Sequence, residues 1–175
     1  MSQSKSDLIA SLFIQALREG QSLWFRVASN SMLPLLHKGD EVYIQPAHAH
    51  EIRLGEIAAF ETAGGLVIHR IISIQHTSTG IRLLQMSDVE LLASWVKEQA
   101  VVGIVVSIRR EGRQIDLHSL IAKRCGTVTA RIRNKLYSYN KGMLFRIVLR
   151  GCSRIAIRFN CWCINHFCAS PVRQK

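Results

Sequence analysis

From Gly20 onward the sequence is cut into short β-rich runs by turn residues, and that rhythm limits the fold more than any other feature. The runs are Leu23 to Ala28, Glu41 to Gln45, Glu56 to Glu61, Leu66 to Gln75, Ile81 to Met86, Val101 to Arg109 and Gln114 to Leu117. Between them stand Gly39-Asp40, Gly64-Gly65, the stretch Thr77 to Gly80, and Glu111-Gly112. Such pairs reverse a chain because glycine reaches positive φ without steric cost and Asp or Thr bonds its own backbone. Short strands at this spacing predict a mainly β fold, a small antiparallel barrel or sandwich. A hydrophobic content of 48% is enough to give it a core. There is no internal repeat and no low-complexity stretch.

Helices flank this body. Ser6 is placed to cap a helix through Leu8, Leu12 and Ala16, which Gly20 stops. Beyond Ser119 the pattern turns helical and basic. The chain therefore divides into an N-terminal helix (1–21), a β core (22–118) and an amphipathic C-terminal tail (119–175). The charge divides with it. Residues 1–116 carry 11 Lys/Arg and 12 Asp/Glu, whereas residues 117–175 carry 12 Lys/Arg and no acid. A tail so one-sided seeks an anionic surface. Arg146, Arg150, Arg154 and Arg158 recur every fourth residue, among Leu144, Ile147, Ile155 and Phe159. That mixture favours a membrane surface over nucleic acid.

The five cysteines all lie at or beyond Cys125, so no disulfide framework is expected in the body, and a reducing compartment is favoured. Cys161, Cys163, His166 and Cys168 crowd into one segment, whereas structural zinc sites draw ligands from two elements. Neither a metal nor a cofactor is expected. The N-terminal stretch lacks the layout of a secretory signal, and no run has the roughly 18 uncharged apolar residues of a membrane span. A cytoplasmic body with peripheral membrane contact follows as the expectation.

Two blocks carry chemistry. In Val27-Ala28-Ser29-Asn30-Ser31-Met32-Leu33-Pro34, Ser31 stands where a strand gives way to a turn, because Pro34 cannot pair within a sheet. A serine there exposes both its hydroxyl and the following amides. It becomes a nucleophile once a base removes its proton and donors stabilise the oxyanion. In Leu66-Val67-Ile68-His69-Arg70-Ile71, His69 places on an apolar strand the side-chain type best suited to general-base work at neutral pH.

Ser31-Met32-Leu33-Pro34-Leu35-Leu36 with Gly39-Asp40-Glu41-Val42, then Gly55 to Phe60, then His69-Arg70-Ile71, resembles the type I signal peptidase superfamily. These S24 and S26 serine peptidases also include the self-cleaving repressors of the SOS response. The likeness covers roughly residues 22–107. The bacterial signal peptidases and the repressors use a lysine base in the second block. A histidine in that place is similar to the archaeal and endoplasmic-reticulum branch. The resemblance implies Ser31 as nucleophile and His69 as base, with the Ser31 amide and the Ser29 hydroxyl donating to the oxyanion. Met32 and Pro34 would shape the first turn, Gly39 and Asp40 the next. Leu83 to Asp88 stands where the family has its Gly-Asp block, though Ser87 replaces the glycine. Asp88 would then orient His69.

These residues together imply a serine endopeptidase that cleaves a precursor, leader or signal-type peptide laid along a strand edge. A regulatory or membrane- or nucleic-acid-binding module keeping the same fold is the alternative. Against a repressor-like arrangement, residues 1–21 are too short for a three-helix DNA-binding domain.

Overall fold

The computed structural model describes the backbone of residues 2–138 and 143–171, with side chains for 8–138 and 154–171. Helix α1 (Ser2–Arg18) opens the chain. It starts ahead of Ser6, the expected cap, because no glycine or proline in residues 2–7 interrupts it; the Ser6 side chain lies outside the described residues. The helix ends as expected. Gly20 has φ +87°, and the amides of Gly20 and Gln21 bond back to the carbonyls of Leu17 and Ala16. This paired closure satisfies the last carbonyls of the helix and needs a residue that tolerates positive φ.

Among the described residues nine strands follow in one curled antiparallel sheet: β1 (Leu23–Arg26), β2 (Glu41–Gln45), β3 (Ile57–Thr62), β4 (Gly65–Thr77), β5 (Gly80–Met86), β6 (Ala93–Lys97), β7 (Val101–Arg110), β8 (Arg113–Asp116) and β9 (Ala169–Pro171). The order is β1-β2-β7-β3-β4-β5-β6, with β8 folded back on β7 and β9 added to β8. Seven of these strands match the expected runs. β6 and β9 do not, since one mixes charged and apolar residues and the other spans three residues. Each forms because the preceding element brings it to a sheet edge. β7 is buried on both faces from Val101 to Ile108, as its nearly unbroken apolar run requires in a strand flanked by β2 and β3.

The main core gathers Val42, Ile44, Ile57, Val105 and Ile108 from the sheet with Ile14 and Leu17 of α1. Phe13 meets Phe25 edge-on at 5.3 Å, and Arg18 bonds Glu61 of β3 at 2.5 Å. These contacts seat α1 against the sheet.

The segment expected as a basic amphipathic C-terminal tail packs against the sheet. It forms α2 (Leu120–Ser138) and α3 (Met143–Phe167). Ala122, Ile157, Cys161 and Ile164 belong to the main core, and Ala130 joins Ile72, Leu84 and Met86 in a smaller cluster. α2 comes so close to the loop before β3 that a Cβ on Gly126 would lie 2.7 Å from the Gly55 carbonyl oxygen. Only glycine permits that approach. The tail's apolar residues thus serve the core as well as any outer surface. The side chains of Leu144, Arg146, Ile147 and Arg150 lie outside the described residues. Among the described residues no helix is long and apolar enough to cross a membrane.

Candidate active site

After β1 the chain leaves the sheet and returns to it at β2, and the exit and return are stapled. Val27 N–H donates to the Asp40 carbonyl at 2.8 Å, and Gly39 N–H to the Val27 carbonyl at 2.9 Å. Within the loop, Leu35 and Leu36 N–H groups bond the Met32 carbonyl at 3.1 and 3.0 Å. Met32, Leu35 and Leu36 are each at most 2% exposed, so this tight turn is nailed to the core by its apolar side chains. Its Leu33–Pro34 peptide is cis. Gly39 has φ +96°, and Asp40 bonds the amide of His37 at 2.8 Å and the guanidinium of Arg110. Burial alone would raise the Asp40 carboxyl, but these donors outweigh it and hold it below the ordinary carboxylate range.

The result is a rigid platform for Ser31. Its carbonyl accepts the Ser87 hydroxyl at 2.9 Å and the Val89 amide at 3.2 Å. Its hydroxyl accepts a hydrogen bond from Ser29 Oγ at 3.2 Å. Ser29, Ser31 and His69 line one cleft of about 240 Å³, whose walls include Phe25, Met32, Leu66 and Ile68. No hydrogen bond joins Ser31 to His69 among the described residues. Such pairs are commonly loose without substrate and tighten when it binds. One wall of the cleft also has backbone to spare. β4 pairs with β3 through residues 65–70, but β5 joins it only from Arg70 onward, so residues 66–69 have no strand on that side among the described residues.

His69 is held by Gln85, in place of the Asp88 expected there. Its Nδ1 bonds Gln85 Oε1, and Gln85 Nε2 donates to Ser94 Oγ. With the amide oxygen turned toward the ring, Nδ1 carries the proton and Nε2 keeps its lone pair. The register explains the arrangement. Gln85 stands opposite Ile71 on β4 and Ser94 on β6, and Ile71 shares a strand face with His69 two residues away.

Asp88 serves elsewhere. It takes a bidentate grip from Arg70, with Nε to Oδ1 at 2.9 Å and Nη2 to Oδ2 at 2.6 Å. Both side chains are at most 3% exposed. Desolvation would depress the Arg70 guanidinium, but the charge of Asp88 prevails and raises it. Arg133 of α2 adds a second guanidinium 3.9 Å from the carboxylate and bonds the carbonyls of Ser87, Asp88 and Glu90. Burial lowers Arg133, opposed by Asp88. The loop that bonds Ser31 is thus clamped by a helix from the far end of the chain.

Gln85 was legible as the one amide in Leu83-Leu84-Gln85-Met86, a polar residue without an evident partner. Ser94 and Arg133 gave no comparable signal. In the C-terminal segment Cys161 is a core residue, and its burial pushes the thiol up to about 12. Cys168 lies 3.0 Å from the Ser119 hydroxyl, and His166 stacks on Trp162.

The model of the Peptidase S24-like family matches residues 3–106, which takes in α1 and the sheet through most of β7. No curated protein matches the chain.

Proposed function

Because the chain belongs to the Peptidase S24-like family, we propose that it is a serine endopeptidase in which Ser31 attacks and His69 is the general base. The reading rests on one observation: Ser29, Ser31 and His69 share a cleft. The substrate is an extended peptide of a precursor or leader, laid along residues 66–69 so that its backbone meets their unpaired groups. The apolar walls at Phe25, Leu66 and Ile68 suit a small uncharged side chain beside the scissile bond.

Ser31 Oγ attacks the carbonyl carbon while its proton passes to His69 Nε2. The oxyanion is met by the Ser31 amide and the Ser29 hydroxyl. As the intermediate collapses, His69 returns the proton to the leaving amine. A water then gives its proton to His69 and attacks the Ser31 ester; His69 passes that proton to Ser31 Oγ as the acid product leaves. Gln85 fixes the tautomer throughout, a task that usually falls to a carboxylate.

The test is labelling by a fluorophosphonate probe. The wild-type protein should be labelled and Ser31→Ala should not; labelling of both at one rate sinks the proposal. Because the family includes self-cleaving repressors, the concentration dependence of any cleavage separates the two modes. A rate per molecule that is constant on dilution means that the chain cuts itself.

A further inference from the structure

Over residues 154–167, helix α3 is docked along one side and bare along the other. Ile157, Cys161 and Ile164 enter the main core, whereas Ile155, Phe159, Trp162 and Phe167 are between 55% and 71% exposed. At 3.6 residues per turn, Ile155, Phe159, Trp162 and His166 fall on one stripe. Trp162 stacks on His166 with ring centroids 5.1 Å apart and lies 6.1 Å from both Phe159 and Phe167. The exposed Arg154 and Arg158 stand on the shoulder of that stripe. Both also line a groove with Leu33, Pro34, Val89 and Leu92, and Val89 and Leu92 are 55% and 77% exposed. The apolar surface therefore runs on toward the loop that bonds Ser31. No Asp or Glu follows Asp116 in the sequence.

We propose that this face of α3 docks on the surface of an anionic lipid bilayer. Aromatic rings beside cations suit the headgroup boundary, where a ring has an apolar side and a wet edge. The guanidiniums then meet lipid phosphates and carboxylates; among the described residues the exposed Glu90 is the one free carboxylate lining the groove they share, since Asp88 is buried against Arg70. A nucleic acid would satisfy the arginines but leave Ile155, Phe159 and Phe167 in water. A second copy of the chain, packed face to face, would oppose like charges at Arg154 and Arg158. The inference does not depend on catalysis at Ser31.

The experiment is co-sedimentation of the full-length protein with phosphatidylcholine vesicles containing about 30% phosphatidylserine, and with phosphatidylcholine alone. Binding should favour the anionic vesicles and fall as salt is raised, since exposed charges are screened beyond a Debye length of ~10 Å at 0.1 M. Arg154→Gln with Arg158→Gln should weaken it about thirtyfold, each cation contributing about fivefold. Phe159→Ala with Trp162→Ala should lower binding to both vesicle types, with circular dichroism unchanged because neither ring is in the core. Three results overturn the proposal: no preference for anionic vesicles, equal binding by all variants, or a concentration-dependent dimer that Trp162→Ala abolishes.

Discussion

The Asp88 carboxylate closes on the Arg70 guanidinium at 2.6 Å, fully buried, on the face of β4 opposite His69. Consecutive strand residues point to opposite faces, so an acid that holds Arg70 is turned away from the imidazole. Asp88→Ala should therefore act on stability. It leaves two guanidiniums, Arg70 and Arg133, buried without their counter-ion, which costs about 3–5 kcal/mol. Chemical denaturation measures this directly. An Asp88→Ala protein of wild-type stability but greatly reduced turnover would return Asp88 to the role of orienter.

Gln85 should control the working pH. A carboxylate in Gln85→Glu would stabilise the imidazolium, so the midpoint of the kcat/KM profile should move to higher pH than in wild type. Gln85→Leu removes the acceptor, frees the ring to adopt the wrong tautomer, and should lower kcat about 10- to 100-fold, as loss of alignment does elsewhere. The position of the His69 ring resonances across a pH titration by NMR provides the same test without substrate. An unchanged titration in Gln85→Glu would refute the arrangement.

Within the cleft, Ser31→Ala and His69→Ala should each lower turnover by at least ~10³-fold while the fold persists. Ser29→Ala should cost less, about 10²-fold, because it removes one oxyanion donor and leaves the Ser31 amide in place. The three variants are to be compared on one peptide under kcat/KM conditions. An undiminished Ser29→Ala enzyme would restrict Ser29 to its hydrogen bond with Ser31.

Acid should loosen the Ser31 loop through Asp40. Its folded-state carboxyl is held below its ordinary value by Arg110 and His37, so the unfolded state takes up the proton first. The stabilisation is complete above the unfolded pKa of ~3.9 and is lost as pH falls through the lower folded value. Thermal unfolding between pH 6 and pH 3 should show a steeper decline for wild type than for Asp40→Asn. Parallel curves would show that Asp40 contributes nothing to the acid limb.

Ending the chain before Leu120 should abolish cooperative folding. The cut removes Ala122, Ile157, Cys161 and Ile164 from the main core and strips β9 from β8. Ile157 and Ile164 alone represent about 1.5–3 kcal/mol each, a large share of the roughly 5–15 kcal/mol that holds a domain together. Aggregation or a lost thermal transition is the expected readout; a soluble, cooperatively melting fragment would show the segment to be separable from the core.

By itself the sequence determined the β character, the turns and the two blocks that carry Ser31 and His69. All of these are local: Gly20, Gly39 and Gly65 sit where the backbone takes positive φ, and alternation or unbroken apolar runs mark strands whatever they pair with. The order of the Ser31 and His69 blocks carried the family likeness for the same reason. Only the tertiary structure decided what surrounds them. Whether Gln85 or Asp88 meets His69 depends on the register of β4 against β5, where a shift of one residue exchanges the two faces. Whether α2 and α3 hang free or complete the core depends on a shape match between Gly126 and Gly55. A one-dimensional pattern of basic and apolar residues cannot express that match, since the same helix offers one face to the protein and the other to its surroundings.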